Sequence, residues 1–409
     1  MNKLSEKHFE LYKTYCRTYQ TGFRLASYIL PFRKPKLLEG PNSILKLPAW
    51  IRKNHLETVL IVTDSGLSKL GLLDGLMDSL KKQSIDFILY DKTVPNPTVE
   101  NVEEAYKLYV SNRCEAIVAF GGGSPMDCAK GVAIRSVWPK RPISDFRGTL
   151  KVLKKIPPIF AVPTTAGTGS ETTVAAIISD GVTHEKYSIM DPVLIPSHAV
   201  LDPMLTIGLP PSVTGTTGMD ALTHAVEAYI GHSNTKETIR YAEKSVRLVF
   251  QNVKTAYQDG SNIQARYNML KASHYAGIAF TRAYVGYVHA LGHAMGGTYS
   301  LPHGLIIGIT LPYILEAYGS SIYHKLARLA EIANIGKEGA GDAERAQDFI
   351  QAIKDLNASM NIPNKVKELK QEDIPKLAAH AFTEANPLYP VPVIFTEKEL
   401  EEILKKMLP

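Results

Sequence analysis

Several things are scarce in this sequence, and each scarcity excludes something. Cysteine occurs three times in 409 residues, at Cys16, Cys114 and Cys128. An odd count without paired spacing excludes a disulfide framework and points to a reducing compartment, the cytoplasm. No apolar run approaches the ~18 residues of a bilayer span, so no membrane segment is expected. The chain opens MNKLSEKHFELYKTY, with charges where a secretory signal carries its apolar stretch. Neither sign of charge dominates: 46 basic against 40 acidic side chains leave a net +6. No dense run of Lys and Arg exists, which argues against nucleic acid as a partner. Internal repeats and low-complexity segments are also missing.

What remains is an ordinary globular composition, 45% hydrophobic and 21% charged, at a length that suits two domains. Residues 1–35 are basic and aromatic, with Tyr12, Tyr15, Tyr19, Phe23 and Tyr28 at partly helical spacing. Such a segment packs on its own chain or on a second subunit, or lies on a membrane surface. From residue 58 the texture alternates. Thr58–Thr63, Phe87–Tyr90, Ala116–Phe120 and Pro158–Pro163 are short β-branched or apolar runs. Helical stretches separate them, including Val99–Ser111 and one starting near Pro125. This order predicts a parallel sheet with helices on both faces. Beyond residue 205 the strand-like runs stop. Helical patterns cover Gly218–Ile230, Lys236–Tyr257, Ile263–Thr281, Tyr287–Gly296, Tyr323–Ala333, Ala343–Leu356 and Lys398–Met407. The expected organisation is therefore an α/β N-terminal domain over 1–205, with 1–35 as an extension, and an all-α domain over 206–409.

One loop has the features of a phosphate cradle. Ala116–Phe120 runs into Gly121-Gly122-Gly123 and then into a helix, with Ser124 as expected N-cap and Pro125 as first helical residue. Glycine lets backbone N–H groups approach an anion, and a helix N-terminus attracts one. The bland alternative is a tight turn with no ligand. Asp64 closes the run TVLIVTD. Its carboxylate either receives the hydroxyls of an adenosine ribose, which would favour NAD over NADP, or caps the next helix. Pro163-Thr-Thr-Ala-Gly-Thr-Gly-Ser-Glu171 follows a strand and is rich in hydroxyls and glycine. It is a further dinucleotide contact or a polar turn. Cys128, near the same helix start, reads as a buried core residue more readily than as a stabilised thiolate.

The helical half carries the strongest signal. Gly218-Met-Asp220-Ala-Leu-Thr-His224 places a carboxylate and an imidazole at i and i+4, on one helix face. His289-Ala-Leu-Gly-His293 repeats the spacing, and His303 follows after a glycine-rich break. One Asp with three or four His, without thiolate, suits Fe²⁺ or Zn²⁺. The remaining histidines, at 8, 55, 184, 198, 232, 274, 324 and 380, lack this pattern and read as structural or surface. Phe280, Tyr284 and Tyr299 are either substrate-facing or packing residues.

Together these residues resemble the iron-containing (group III) alcohol dehydrogenase family, which includes lactaldehyde reductase and butanol dehydrogenases. The resemblance rests on VPNPT (94–98), GGGSPMDCAK (121–130), PTTAGTGSE (163–171), GMDALTHAVEAYI (218–230) and VHALGHAMGGTYSLPHG (288–304). It implies a dehydroquinate synthase-like fold and NAD(H)-dependent turnover of a small alcohol or aldehyde at a divalent metal, Fe²⁺ or Zn²⁺. It implies metal ligands at Asp220, His224, His289 and His303, and a catalytic His293. Its cofactor contacts fall on Asp64, Asn96, Gly122, Gly123, Ser124, Asp127, Thr164, Thr165, Thr168, Lys186 and Leu205. It also implies a homo-oligomer, a dimer. Gly292 and Ala294 depart from the family's usual residues and lead us to expect an altered pocket. Polyol dehydrogenases of the glycerol dehydrogenase type share the glycine loop and part of the metal set, and a metal-dependent hydrolase is the alternative from another class.

Overall fold

The computed structural model describes residues 3–181, 186–337 and 339–409, so His184 lies outside the described residues. The chain divides into two compact units, each discontinuous in sequence. One comprises Pro31–Leu209 and Ser261–Gly277, the other Met1–Leu30, Pro210–Gly260 and Ile278–Pro409. The expected boundary near 205 therefore sits at 209/210, and two segments group differently. The N-terminal stretch goes with the helical unit, and residues 261–277 go with the α/β unit.

Helix α1 (Lys3–Ser27) opens the chain. The strands are β1 (Lys36–Glu39), β2 (Thr58–Val62), β3 (Asp86–Tyr90), β4 (Ala116–Gly121), β5 (Gly148–Thr149), β6 (Ile159–Pro163), β7 (Ala175–Ser179), β8 (Lys186–Met190) and β9 (His198–Leu201). Between them lie α2 (Leu47–Lys53), α3 (Ser65–Lys69), α4 (Asp74–Lys82), α5 (Val99–Ser111) and α6 (Gly123–Val137). Among the described residues, six strands form one sheet in the order β1-β9-β6-β4-β2-β3, every neighbouring pair parallel. β5, β8 and β7 form a small second sheet.

Alternation along the central strands explains the layers. Val59 and Ile61 of β2, with Val118 and Phe120 of β4, join Ile51, Leu76 and Leu80 of α2 and α4 in one core. Leu60 and Val62, with Ile117 and Ala119, face Val102, Ala105, Ala129 and Val132 of α5 and α6 in the other. A strand buried on both faces has no polar side, which is why these runs are continuous and apolar. β2 is followed outward by β3, and the chain then crosses back to lay β4 on the other side of β2. In parallel sheets that reversal opens a crevice at the carboxyl ends of the two strands, where ligands bind. Asp64 and Gly121–Gly123 lie at those ends.

The helical unit contains α7 (Pro211–Ile230), α8 (Lys236–Gln258), the last part of α9 (Ile263–Ala283), α10 (Tyr287–Tyr299), α11 (His303–Tyr318), α12 (Tyr323–Ala333), α13 (Asp342–Ser359), α14 (Ile374–Ala385) and α15 (Glu397–Lys405). The sequence pattern did not reveal α11 or α14. α11 (HGLIIGITLPYILEAY) is apolar on all sides and contains Pro312, so no amphipathic period marks it. One expectation needs correction here. His303–Ala333 contains a window of mean hydropathy 1.4, long and apolar enough to cross a bilayer by length and composition. Of that window 61% is buried inside the protein, as in a core helix, and His303 at its start turns to Asp220. α1 packs on its own unit: Tyr12 stacks on Phe382 at 5.5 Å and Phe23 meets Tyr284 edge-on at 5.9 Å.

Candidate functional site

In the helical unit, three helix segments converge on Asp220. α7 contributes Asp220 and His224 from successive turns. Glycine brings the others close. A Cβ on Gly304 would lie 2.4 Å from the Thr216 carbonyl oxygen, so only glycine lets the first turn of α11 reach α7. His303, one residue earlier, thereby places its Nε2 3.3 Å from Asp220 Oδ1. His289 Nε2 lies 3.6 Å and His224 Nδ1 3.7 Å from the same oxygen. None of these contacts has hydrogen-bond geometry. Asp220 Oδ1, His224 Nδ1 and His289 Nε2 are buried and lack any hydrogen-bond partner.

Three orphaned buried polar atoms aimed at one point would be costly unless something else satisfies them. Their ligand atoms lie within 4.8 Å of one another. Two ligands held ~2.1 Å from a shared ion at tetrahedral angles sit roughly 3.4 Å apart. The distances to Asp220 bracket that value, so the donor set fits a divalent cation. Burial holds His224 neutral, down to about 3, as a ligand requires.

Glu227, which sequence reasoning did not assign, organises this centre. It is 3% exposed and lies one turn past His224 on α7. Its Oε2 is 2.5 Å from His289 Nδ1 and its Oε1 accepts from the Val288 N–H at 2.8 Å. It thus occupies a free donor at the start of α10 and fixes the His289 tautomer, with Nε2 turned to Asp220. Burial pulls the His289 pKa down, but Glu227 and Asp220 raise it to about 9, so a metal bound at Nε2 would have to displace a proton from it. An acid at i+3 from His224 on an otherwise apolar helix was the signal available in HAVEAYI.

His293 lies one turn beyond His289. Its ring stacks on His303 at 5.3 Å, and its Nδ1 is 2.6 Å from Glu384 Oε1. Phe280 stacks on His224 at 4.1 Å, as an apolar wall beside the ligands. Tyr284 and Tyr299 have packing roles instead: Tyr284 meets Phe23, and the Tyr299 hydroxyl donates to Asp373 at 2.7 Å. Gly292 is accounted for by packing. A Cβ there would lie 2.4 Å from Ile307 Cδ1, so glycine lets α10 and α11 close on each other.

In the α/β unit, the predicted dinucleotide residues gather around the end of β4. Gly121 has φ +147°, and a Cβ there would meet Pro125 Cγ at 2.6 Å. The helix begins at Gly123 with Gly122 as N-cap, two residues earlier than the expected Ser124 cap. Ser124 instead accepts from the Asn96 N–H at 3.2 Å, and Asn96 receives Lys186 Nζ at 3.0 Å. Thr165 and Thr168 line the glycines: their side chains would lie 3.3 and 3.4 Å from a Cβ on Gly122 and Gly123. The Thr164 N–H donates to the Gly121 carbonyl at 3.1 Å. Asp127 accepts from the Ser170 hydroxyl at 3.4 Å. Asp64 caps α3, with Oδ1 accepting from the Gly66 and Leu67 N–H groups at 2.9 and 3.0 Å. Leu205 stands apart from this group, packed in the core beneath α2 and α4.

Two further features shape the loop. Lys130 is fully buried, and its Nζ donates to the Ser170, Thr173 and Ala175 carbonyls at 2.9, 3.1 and 2.7 Å and to both hydroxyls. Burial lowers its pKa while Asp127 supports the charge. Lys130 therefore ties the glycine-loop helix to the segment after PTTAGTGSE. Gly169 and Gly277 mark a close crossing of that loop with α9, where a Cβ on Gly277 would lie 2.1 Å from Thr172 Oγ1. Cys128 is buried, and burial pushes its thiol up to about 12, so it is a core residue.

Two family models match the chain: "Iron-containing alcohol dehydrogenase" over residues 34–203 and "Fe-containing alcohol dehydrogenase family, C-terminal" over 214–408. Alcohol dehydrogenase 4 of Saccharomyces cerevisiae is 38% identical over 369 residues, 90% of this chain and 95% of that protein. The 1,3-propanediol dehydrogenase of Citrobacter freundii is 35% identical over 389 residues, 94% of this chain and 99% of that one. A crystal structure of a 1,3-propanediol oxidoreductase superposes with a TM-score of 0.89 at 34% identity, covering 93% of this chain and 100% of that chain.

Proposed function

Because the chain belongs to the iron-containing alcohol dehydrogenase family, we propose that this oxidoreductase passes a hydride between a small alcohol or aldehyde and NAD(H), with Asp220, His224, His289 and His303 holding the metal. The observation that carries the metal assignment is the set of buried, partnerless ligand atoms around Asp220 Oδ1. When bound, a divalent metal supplies Lewis acidity toward the substrate oxygen, and the nicotinamide supplies the hydride chemistry.

The chain's own groups do the rest. Asp220 brings the negative charge of the ligand set, and neutral imidazoles complete it. Glu227 orients His289. His293, one turn past His289 and stacked on His303, is proposed to carry the alcohol proton away. Phe280 gives the site an apolar wall, which suits short-chain substrates. In the α/β unit, the backbone of Gly122–Ser124 at the start of α6 is proposed to bind the pyrophosphate. Thr164, Thr165, Thr168, Asn96 and Lys186 offer further donors around the same loop. Asp127, half-buried in the first turns of α6, holds the Ser170 hydroxyl behind it, while Leu205, packed in the core apart from the loop, is not given a cofactor contact. Asp64 is proposed to face the ribose with the carboxylate edge that α3 does not use, and so to select NAD(H) over NADP(H).

Iron is the proposed ion, since an oxygen- and nitrogen-donor set without thiolate suits it, and zinc is the second candidate. A hydrolase would have no use for a glycine loop and acidic strand end at a switch point, and the family membership speaks against it. Three buried free cysteines agree with a reducing, cytoplasmic setting. A homodimer is proposed on the exposed Leu11, Tyr15 and Leu25 of α1, to be checked by sedimentation. The test of function is NADH and NADPH oxidation by anaerobically purified protein with short aldehydes. Turnover preferring NADH supports the reading, and no turnover with any aldehyde contradicts it.

A further inference from the structure

His293 does not stand alone. Glu384 Oε1 receives its Nδ1 at 2.6 Å, and the same oxygen accepts from the Tyr389 hydroxyl at 2.9 Å. A carboxylate only accepts, so Nδ1 carries the hydrogen, and in the neutral ring Nε2 is the nitrogen that keeps its lone pair. The stack on His303 and the edge contact with His289, at 5.9 Å, then fix the ring plane beside two of the ligands.

The support for this chain of bonds comes from the N-terminus of the protein. Gln20 of α1 is 4% exposed, and its Nε2 donates to the Pro387 and Tyr389 carbonyls at 3.1 and 2.8 Å. Arg17 donates to the Val391 and Pro392 carbonyls at 2.7 and 2.9 Å, and its Nη1 also donates to Gln20 Oε1 at 2.9 Å. These bonds hold the turn that carries Tyr389. Tyr12 stacks on Phe382, two residues before Glu384 on α14. Helix α1 thus grips both the helix that carries Glu384 and the turn that carries Tyr389. A helix needed only to cover apolar surface would not place the buried Gln20 and the half-buried Arg17 on four carbonyls of that one turn.

We propose that Glu384 is a positioning residue for His293, and that α1, through Arg17 and Gln20 on the 387–392 turn, holds Glu384 and Tyr389 in place. This rests on the role given to His293 above. Glu384 never touches substrate. It sets which imidazole nitrogen is free and where it points.

The test compares Glu384→Ala, Glu384→Gln, Gln20→Ala, His293→Ala and the double variant Glu384→Ala/His293→Ala. Aldehyde reduction is measured in full-length, metal-loaded protein, with metal per chain determined on each sample. Glu384→Ala should lower kcat about tenfold or more, with KM for NADH and metal content at the wild-type level. Glu384→Gln should recover part of that loss, because its amide oxygen still accepts from Nδ1. Gln20→Ala should lower kcat in the same direction, by less. In the His293→Ala background, Glu384→Ala should add less than about twofold, since both changes remove one function. If His293→Ala lowers kcat while Glu384→Ala does not, or if the Glu384→Ala loss persists in the His293→Ala background, Glu384 has no positioning role. If His293→Ala itself turns over at the wild-type rate, the relay role of His293 fails and this inference fails with it.

Discussion

Replacing Glu227 with glutamine should weaken metal binding without disturbing the fold. The carboxylate receives two hydrogens, one from the Val288 N–H and one from His289 Nδ1. An amide has one accepting oxygen and one donating nitrogen. If its nitrogen faces His289, Nδ1 must become the acceptor and the proton moves to Nε2, the atom turned to Asp220 at 3.6 Å. That tautomer cannot ligate. If instead its nitrogen faces Val288, two donors oppose each other at the start of α10. Either arrangement sacrifices one bond of a buried network. Loss of an orienting partner behind a ligating histidine lowers metal affinity by about 10–100-fold, roughly 1.4–2.7 kcal/mol. The assay is competition for Fe²⁺ or Zn²⁺ against a chelator of known strength, on Glu227→Gln and wild type. Secondary structure by circular dichroism should be unchanged. A variant that binds metal as tightly as wild type would refute the tautomer argument.

Other consequences follow from the same contacts. Asp64→Ser keeps a side chain able to cap α3 but removes the charge, so the NADPH-to-NADH ratio of kcat/KM should rise about tenfold, ~1.4 kcal/mol; an unchanged ratio leaves Asp64 a cap alone. Gly304→Ala places a Cβ 2.4 Å from the Thr216 carbonyl, and overpacking of this kind costs about 1–3 kcal/mol. It should lower both Tm and metal per chain, and full metal occupancy would contradict the placement of His303. His198 lies between Trp50 and Phe160, where burial, with help from Lys36 and Arg33, lowers its pKa from 6.5 to about 4. The unfolded chain therefore takes up a proton first as pH falls. This contribution to stability is complete above about pH 6.5 and is lost progressively down to about 4, by about 3 kcal/mol. Urea midpoints at pH 7.5 and 4.5 should differ less in His198→Phe than in wild type; equal differences would contradict the assignment.

The parts of the fold that sequence made legible share a physical cause. β2 and β4 are sandwiched between helices, so their runs are unbroken and apolar. α5 and α8 carry capping boxes at Thr98 and Thr235 and one apolar face, so their bounds are sharp. β1 and β9 are four residues long, too short for a period to register. α11 hides for the opposite reason: it is buried on nearly every side and has no polar stripe. The division into units could not be read from composition, because α1 and the first part of α9 look like any other amphipathic helix. Within the site, i, i+4 spacing exposed Asp220–His224 and His289–His293. Glu227, Lys130 and Glu384 stayed hidden because a lone charge in a helix ordinarily marks its solvated face. Only the fold shows which of these charges point inward.

The most direct test strips the protein of metal and titrates Fe²⁺ back anaerobically while following NADH oxidation with a short aldehyde. The rate should start near zero and climb linearly to a plateau at one ion per chain, with no climb in Asp220→Ala or His224→Ala. Full activity in the stripped protein, or the same titration in Asp220→Ala, would contradict a metal centre built on these ligands.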